Sequence, residues 1–306
     1  MASLRDIRDR IGSVKNTQQV TRAMKMVAAA KLRKAQENIF KTRPYAYKIG
    51  QIISHLKKQL DPAAHPLFHV REDASKVLLI IVTADRGLAG AFNTNIIKAA
   101  ENEIADKYES QRASGDLYLI CVGRKSHEHF AKRGYQLLGD FRGAFDHVSF
   151  DTASEVMDIA REGYLSEKWD EVFVLYNEFK NTISQNRIVE PVLPIPAEQF
   201  KTPVMTQSVE EEAAIREGLA VDYLFEPGAE RILYHLVPSY LKYKMWRVLL
   251  ESNAAEQGAR MVAMESATSN ADELLKDLQL KYNRARQDAI TKELIEITSG
   301  ADALEA

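Results

Sequence analysis

Cysteine is all but missing from this chain of 306 residues. The single copy, Cys121, lies in the apolar run Leu117-Tyr-Leu-Ile-Cys-Val122, which marks it as a small buried hydrophobe rather than a reactive thiol. No disulfide can form within the chain, so a reducing compartment suits it. Long apolar runs are missing too. No stretch approaches the ~18 uninterrupted apolar residues that a membrane-spanning helix needs. At 45% hydrophobic and 27% charged, the composition excludes the disordered and fibrous classes and leaves enough apolar material for a core.

Proline is absent from both ends. All nine prolines fall between Pro44 and Pro238. A proline costs about 3 kcal/mol inside a helix, so residues 1–43 and 239–306 are where long helices are permitted. In the first interval Leu4, Ile7, Ile11 and Val14 alternate spacings of three and four, and Val20, Met24, Val27 and Leu32 follow after a shift of register. Ser3 is placed to cap the start, with Asp6 three residues on. Pro44 reads as a bend, because Ile49, Ile52, Ile53 and Leu56 resume the pattern, and Asp61-Pro62 closes it. About 55 helical residues would reach roughly 80 Å.

The C-terminal interval is more regular. Met264, Thr268, Ala271, Leu275, Leu278, Tyr282, Ala285 and Ala289 keep a heptad seam, broken in character only by Thr268. A seam held over four heptads predicts a coiled coil, and its alanines allow close approach. Such a helix needs a partner, and the N-terminal helix supplies one, in an antiparallel or splayed pair.

Acidic residues are scarce in residues 1–60, which carry fourteen Lys and Arg against three acids; the remainder holds twenty-seven basic and forty acidic residues. A basic end of this kind faces an acidic protein, a nucleic acid or a membrane surface. Aromatics are missing from residues 1–39, and the charges are spread between seam positions, which favours a scaffold helix against an acidic protein over nucleic acid.

The middle alternates strands and helices. Lys76-Val-Leu-Leu-Ile-Ile-Val-Thr83 predicts a strand buried on both faces. A turn, Asp85-Arg-Gly-Leu-Ala-Gly90, leads to a helix near 93–110. Strands at 117–122, 171–178 and 184–193 and helices at 125–133 and 151–167 follow, the last strand at an edge because of Pro191 and Pro194. The fold class is therefore α/β, a central doubly wound, mainly parallel sheet, carried with a long coiled coil formed by the N- and C-terminal helices. The domains divide as 1–60, a long helix; 61–227, a Rossmann-like domain ending in an acidic loop, 197–227; and 228–306, a second long helix.

Candidate chemistry is thin. Gly87-Leu-Ala-Gly90 follows a strand, where phosphates bind in such folds, but it is neither Gly-x-Gly-x-x-Gly nor a Walker loop. A strand–helix turn needing glycine is the better reading. His127 and His129, two apart on a helix, point to different faces and do not make a metal site. No nucleophile elbow, His-Glu-x-x-His or Cys-x-x-Cys is present, so nothing argues for an active site.

Four segments in order give the chain a family likeness: Ile11-Gly-Ser-Val-Lys-Asn-Thr-Gln-Gln-Val-Thr-Arg-Ala-Met-Lys-Met-Val-Ala-Ala-Ala-Lys-Leu32; Asp85-Arg-Gly-Leu-Ala-Gly-Ala-Phe-Asn93; Ala259-Arg-Met-Val-Ala-Met-Glu-Ser-Ala-Thr-Ser-Asn270; and Tyr282-Asn-Arg-Ala-Arg-Gln-Asp-Ala-Ile-Thr-Lys-Glu-Leu-Ile-Glu-Ile-Thr-Ser-Gly-Ala301. Together they resemble the gamma subunit of bacterial F-type ATP synthases over essentially the whole length. The resemblance implies that the basic N-terminus is a working helix rather than a targeting segment. It implies a noncatalytic rotor, with no cofactor of its own. The paired helices would turn inside a ring of alpha and beta subunits, and the α/β domain would touch the epsilon subunit and the c-subunit ring of Fo. The chain would thus sit on the cytoplasmic face of the bacterial inner membrane, associated only indirectly, and couple ion flow to ATP synthesis on beta. Residues matching contacts with beta are Met24 and Lys25, Arg260, Arg286 and Gln287, with Thr291 and Glu296 further along. Ala89 stands where many relatives have cysteine, and the chloroplast cysteine pair is absent, so thiol switching is not implied. The acidic stretch Gln207–Val221 has no assigned role. A nucleotide-binding α/β enzyme and a basic-helix nucleic-acid binder are the alternatives.

Overall fold

The computed structural model describes residues 4–59, 65–71, 74–196, 226 and 228–305. Ser3, Asp61-Pro62 and the acidic stretch 207–221 lie outside the described residues. The contacts divide the chain into two compact units, Met1–Ala28 with Met261–Ala306, and Ala29–Arg260.

In the larger unit five strands form one sheet: β1 (Val77–Val82), β2 (Leu117–Val122), β3 (Gln136–Leu137), β4 (Glu171–Phe179) and β5 (Gln185–Leu193). Their order is β3-β2-β1-β4-β5, parallel throughout except for the antiparallel β5 at the edge. All six residues of β1 are buried, as a continuous β-branched run demands. Leu78, Ile80 and Val82 face one side, packed with Val156, Met157 and Ala160 of α5 (Phe150–Leu165). Val77, Leu79 and Ile81 face the other, against Ile96, Ala100 and Ile104 of α2 (Phe92–Lys107) and Phe130 of α4 (Arg124–Ala131). A short α3 (Glu109–Ser114) follows α2. The two-residue β3 and a 3₁₀ turn at Pro66–Phe68 are too short for periodicity to reveal.

Both terminal helices begin or end as layers of this sheet. The N-terminal helix α1 (Leu4–Gln59) contributes Ile49 and Ile53 to the α5-side core. The C-terminal helix α6 (Ala229–Glu305) contributes Leu233, Val237, Leu241, Met245, Val248 and Leu249. Helix continues through Pro44 in α1 and through Pro238 in α6, so the proline-free intervals understate both helices.

In the smaller unit α1 and α6 run antiparallel. Lys25 Nζ lies 2.6 Å from Glu265 Oε1, the hydroxyls of Thr21 and Thr268 are 2.8 Å apart, and the Gln18 amide donates to Asp272. Rising numbers on one helix meet falling numbers on the other. The seam on α6 is as expected: Met264, Ala271 and Leu278 are buried, and Thr268, Leu275, Tyr282, Ala285 and Ala289 half-buried. The seam on α1 corrects the sequence reading. No register shift occurs; the inward positions run 4, 7, 11, 14, 18, 21, 24, 25 and 28, so that Met24 is half-buried and Leu32 buried as expected. Val20 and Val27, assigned to the seam by their apolarity, are 57% and 56% exposed. Gln18, Thr21 and Lys25 hold the seam instead, because each finds a polar partner on α6.

Candidate functional site

In a doubly wound sheet the expected ligand crevice lies beyond the carboxyl ends of the strands where the chain order reverses, here between β1 and β4. That crevice is filled by the chain itself. Ala255 and Ala259 of α6 pack with Ala84, Ala89, Phe92 and Phe179, and Arg260 Nη1 donates to the Gly87 carbonyl at 2.7 Å.

The loop after β1 is likewise committed to its own backbone. The buried Asp85 carboxylate accepts from the N–H groups of Arg124 at 2.7 Å, Gly143 at 2.8 Å and Phe145 at 2.8 Å. It therefore occupies the N-terminus of α4, the place an external anion would take. Asn93 Oδ1 accepts from Ala84 N–H at 2.9 Å, and its amide donates to the Arg86 carbonyl. Of the two loop glycines, Gly90 has a left-handed φ of 57°, whereas Gly87 does not, and the second left-handed residue is Leu88 at 62°. The glycine requirement thus holds at Gly90 and fails at Gly87, whose Cβ would meet nothing. The nucleotide-site alternative meets a crevice already packed and hydrogen-bonded.

His129 Nε2 lies 2.8 Å from Glu101 Oε1 on α2, an interhelix pairing rather than a ligand set. Among the described residues no group of three or more His, Cys, Asp or Glu is placed to hold a metal ion. Cys121 is buried in β2, and that burial, only partly offset by Ser126, pushes its thiol up to about 12. Its nucleophilic form is thereby suppressed.

The helix pair is the remaining candidate, and its outer face is open. Arg5, Arg8, Arg10, Lys15 and Arg22 are all exposed along α1. Met24 is half-buried, and Lys25 is held to Glu265 with 38% of its side chain exposed, so its ammonium is shared between the seam and solvent. Arg260 falls in the larger unit, where Glu256 and the Gly87 carbonyl leave its side chain 11% exposed. Arg286, Gln287, Thr291 and Glu296 are exposed on α6, with Glu296 3.8 Å from Lys292. At 1.5 Å per residue, Arg286 lies about 30 Å along the helix from Glu265, so the candidates form separate levels rather than one site.

Sequence periodicity missed the exposed apolar side chains on these faces. Val20, Met26 and Val27 point outward on α1, and Ile290, Leu294, Ile295 and Ile297 outward on α6. Continuing the antiparallel register sets Leu4 level with Arg286, so these α6 residues run on past it. The heptad seam, continued by threes and fours from Ala289, falls on Lys292 and Glu296, so these apolar residues lie off it. Among the described residues no helix is long and apolar enough to cross a membrane.

The comparisons with known proteins agree with one another. A family model described as ATP synthase matches residues 3–304. The ATP synthase gamma chain of Salinibacter ruber is 61% identical over 305 residues, covering 100% of this chain and 99% of that one. The gamma chain of Chloroherpeton thalassium is 50% identical over 307 residues, with coverage of 100% and 99%. Two solved structures share the fold: the rotor of Euglena gracilis mitochondrial ATP synthase in rotational state 1, TM-score 0.61 at 22% identity over 94% of this chain and 98% of that one, and its OSCP/F1/c-ring assembly in rotational state 3, TM-score 0.65 at 23% identity over 98% and 94%. A match that runs the whole length at 61% identity, on a chain whose sheet crevice is filled and whose helices are paired, leaves one assignment: the chain belongs to the ATP synthase gamma-chain family.

Proposed function

We propose that this chain is the central-stalk rotor of an F1Fo ATP synthase, carrying rotation of the c ring to the catalytic beta subunits while catalysing nothing itself. The observation that carries the reading is the contrast within the helix pair. Its seam is satisfied internally by Gln18, Thr21 and Lys25 against Asp272, Thr268 and Glu265, while its outer face is exposed and mostly polar, charged and uncharged together.

A rotor must press on its surroundings without adhering at one angle. Exposed charge pairs are worth about 0–1 kcal/mol and are screened within about 8–10 Å, so they can break and re-form as the shaft turns. The basic run of α1 suits an acidic lever on beta. Met24 and Lys25 would engage beta at one level, and Arg286, Gln287, Thr291 and Glu296 at another. Arg260 would reach beta only by releasing Gly87, so its role there is the weakest of the set. Epsilon and the c ring are the expected partners of the α/β unit. Membrane association is then indirect, through Fo on the cytoplasmic face of the inner membrane.

Reconstitution tests this reading. The purified chain should show no ATPase, and should restore rotation and ATPase when mixed with the alpha and beta subunits of its own organism. An alpha–beta hexamer that neither binds the chain nor gains turnover from it would rule the reading out.

A further inference from the structure

The root of α6 holds an ion cluster that the rotor reading leaves without a task. Glu190 on β5 has 3% of its side chain exposed and is approached by two cations from α6: Arg247 Nη2 at 2.6 Å and Lys244 Nζ at 3.2 Å, each with 5% exposure. The circuit closes on the strands. Tyr176 on β4 donates its hydroxyl to Glu190 Oε2 at 3.0 Å and accepts from Arg247 Nη1 at 3.0 Å, and Lys244 also donates to the Pro191 carbonyl at 2.6 Å. One helix is thus tied to two strands at the sheet edge.

Stability alone does not account for this arrangement. Buried ion sets are commonly matched or bettered by apolar residues of similar volume, because desolvation consumes the Coulombic gain. What they supply is positional discrimination. The apolar stripe of Leu233, Val237, Leu241, Met245 and Val248 holds α6 on the sheet, yet ridges packed in grooves tolerate a slide to the next groove. A slide to the next groove, about one turn or 5.4 Å, would part Glu190 from both cations and leave buried charges unpaired.

We propose that Glu190, Lys244 and Arg247 are positioning residues that key α6 to the sheet, so that torque passes between sheet and helix without slip. This rests on the rotor reading. The key matters only under load. With no opposing force the apolar stripe suffices, whereas a helix driven against resistance would slide unless locked.

The test uses the assembled synthase in membrane vesicles, with Glu190→Leu, Lys244→Met and Arg247→Met combined so that volume is kept. Unloaded ATPase, measured with uncoupler, should stay within about twofold of the parent. ATP synthesis against a high phosphorylation potential should fall at least about fivefold, and Lys244→Met alone, which retains the Glu190–Arg247 pair, should fall between the two. Merely structural damage would lower both activities together. Equal ratios of synthesis to unloaded hydrolysis in parent and triple variant would overturn the proposal. Should the triple variant not assemble, the same ratio in Lys244→Met decides, a drop supporting the key and no change removing it. Failure of the parent chain itself to support any coupled turnover would instead strike the rotor reading.

Discussion

The hydroxyl oxygens of Thr21 and Thr268 lie 2.8 Å apart across the helix pair, while each also reaches a carbonyl of its own helix: Gln18 at 3.0 Å and Met264 at 2.7 Å. Each hydroxyl has one proton, so one of them must release its own backbone to donate across. The bond between the helices therefore competes with a bond within one. Thr21→Val or Thr268→Val should each cost under about 1 kcal/mol, because the surviving hydroxyl keeps its carbonyl. The double variant should cost about the sum of the two singles, with a coupling energy below about 0.5 kcal/mol. A thermal double-mutant cycle on the purified chain measures this, and coupling of 2 kcal/mol would show that the cross-helix bond dominates.

That pair also explains what is legible in the sequence. On α6 apolar heptads mark the seam, and burial follows them from Met264 to Ala289. On α1 the same logic fails between 18 and 25. Periodicity counts apolar residues, whereas Gln18, Thr21 and Lys25 earn their inward places from partners 240 or more residues away. The sheet is legible because strands buried on both faces need continuous apolar runs, and β1 and β2 have them. The commitment of Arg260 to Gly87 is not legible, since a surface arginine and one bonded to a distant carbonyl have the same local sequence. Nor does exposure of Arg286 and Gln287 distinguish a contact surface from a solvated one.

Asp85 holds three loop N–H groups with one buried carboxylate. Hydrogen bonds to a charged acceptor contribute roughly 1.5–3 kcal/mol each and are not additive. Asp85→Ala should therefore destabilise by about 3 kcal/mol or more. Asp85→Asn should cost less, since its carbonyl can still serve Arg124 and Gly143 while its amide opposes the Phe145 N–H. Chemical denaturation reads both, and equal losses would mean that the charge rather than the shape of the side chain holds the loop.

Gly163 on α5 offers a cleaner steric test. A Cβ added there would fall 1.9 Å from the Trp169 ring, itself fixed by a 2.8 Å bond from its indole N–H to the Ala160 carbonyl. Alanine at an ordinary helix position would gain roughly 1 kcal/mol of helix propensity. Here Gly163→Ala should instead destabilise by about 2 kcal/mol or more, with Trp169 fluorescence shifted toward that of an exposed indole. A stabilised variant would mean that the ring has room to move.

Acid should weaken the cluster at the root of α6. Burial alone would raise the Glu190 carboxyl, but Arg247 and Lys244 outweigh it and hold the group below the ordinary glutamate range. A depressed folded value means that its stabilisation is fully present above the unfolded value of about 4.3 and is lost as pH falls through the folded one. Asp170 behaves alike: burial opposes its ionisation, but Arg71 and the N–H groups of Lys76 and Ser75 prevail. Glu171, raised by burial and by Asp170, works in the opposite sense. Comparison of parent and triple apolar variant cancels those two. Their difference in melting temperature should be constant between pH 7 and 5 and should shift against the parent below about pH 4. A difference that does not move on acidification would mean that Glu190 is not ionised in the folded chain.

Arg286 and Gln287 stand exposed on α6, between the half-buried seam positions Ala285 and Ala289. Neither makes a bond that the fold depends on, and alanine is the better helix former. Arg286→Ala with Gln287→Ala should leave helix content unchanged and stability within about 0.5 kcal/mol. If both engage beta in the rotor reading, their loss removes roughly 0.5–1.5 kcal/mol of polar contact each, and assembly or torque should weaken by about tenfold together. Circular dichroism of the isolated chain and turnover of the reconstituted complex separate the two effects. Lost helix content in the isolated double variant would make these residues structural, whereas full turnover in the complex would remove them from the contact surface.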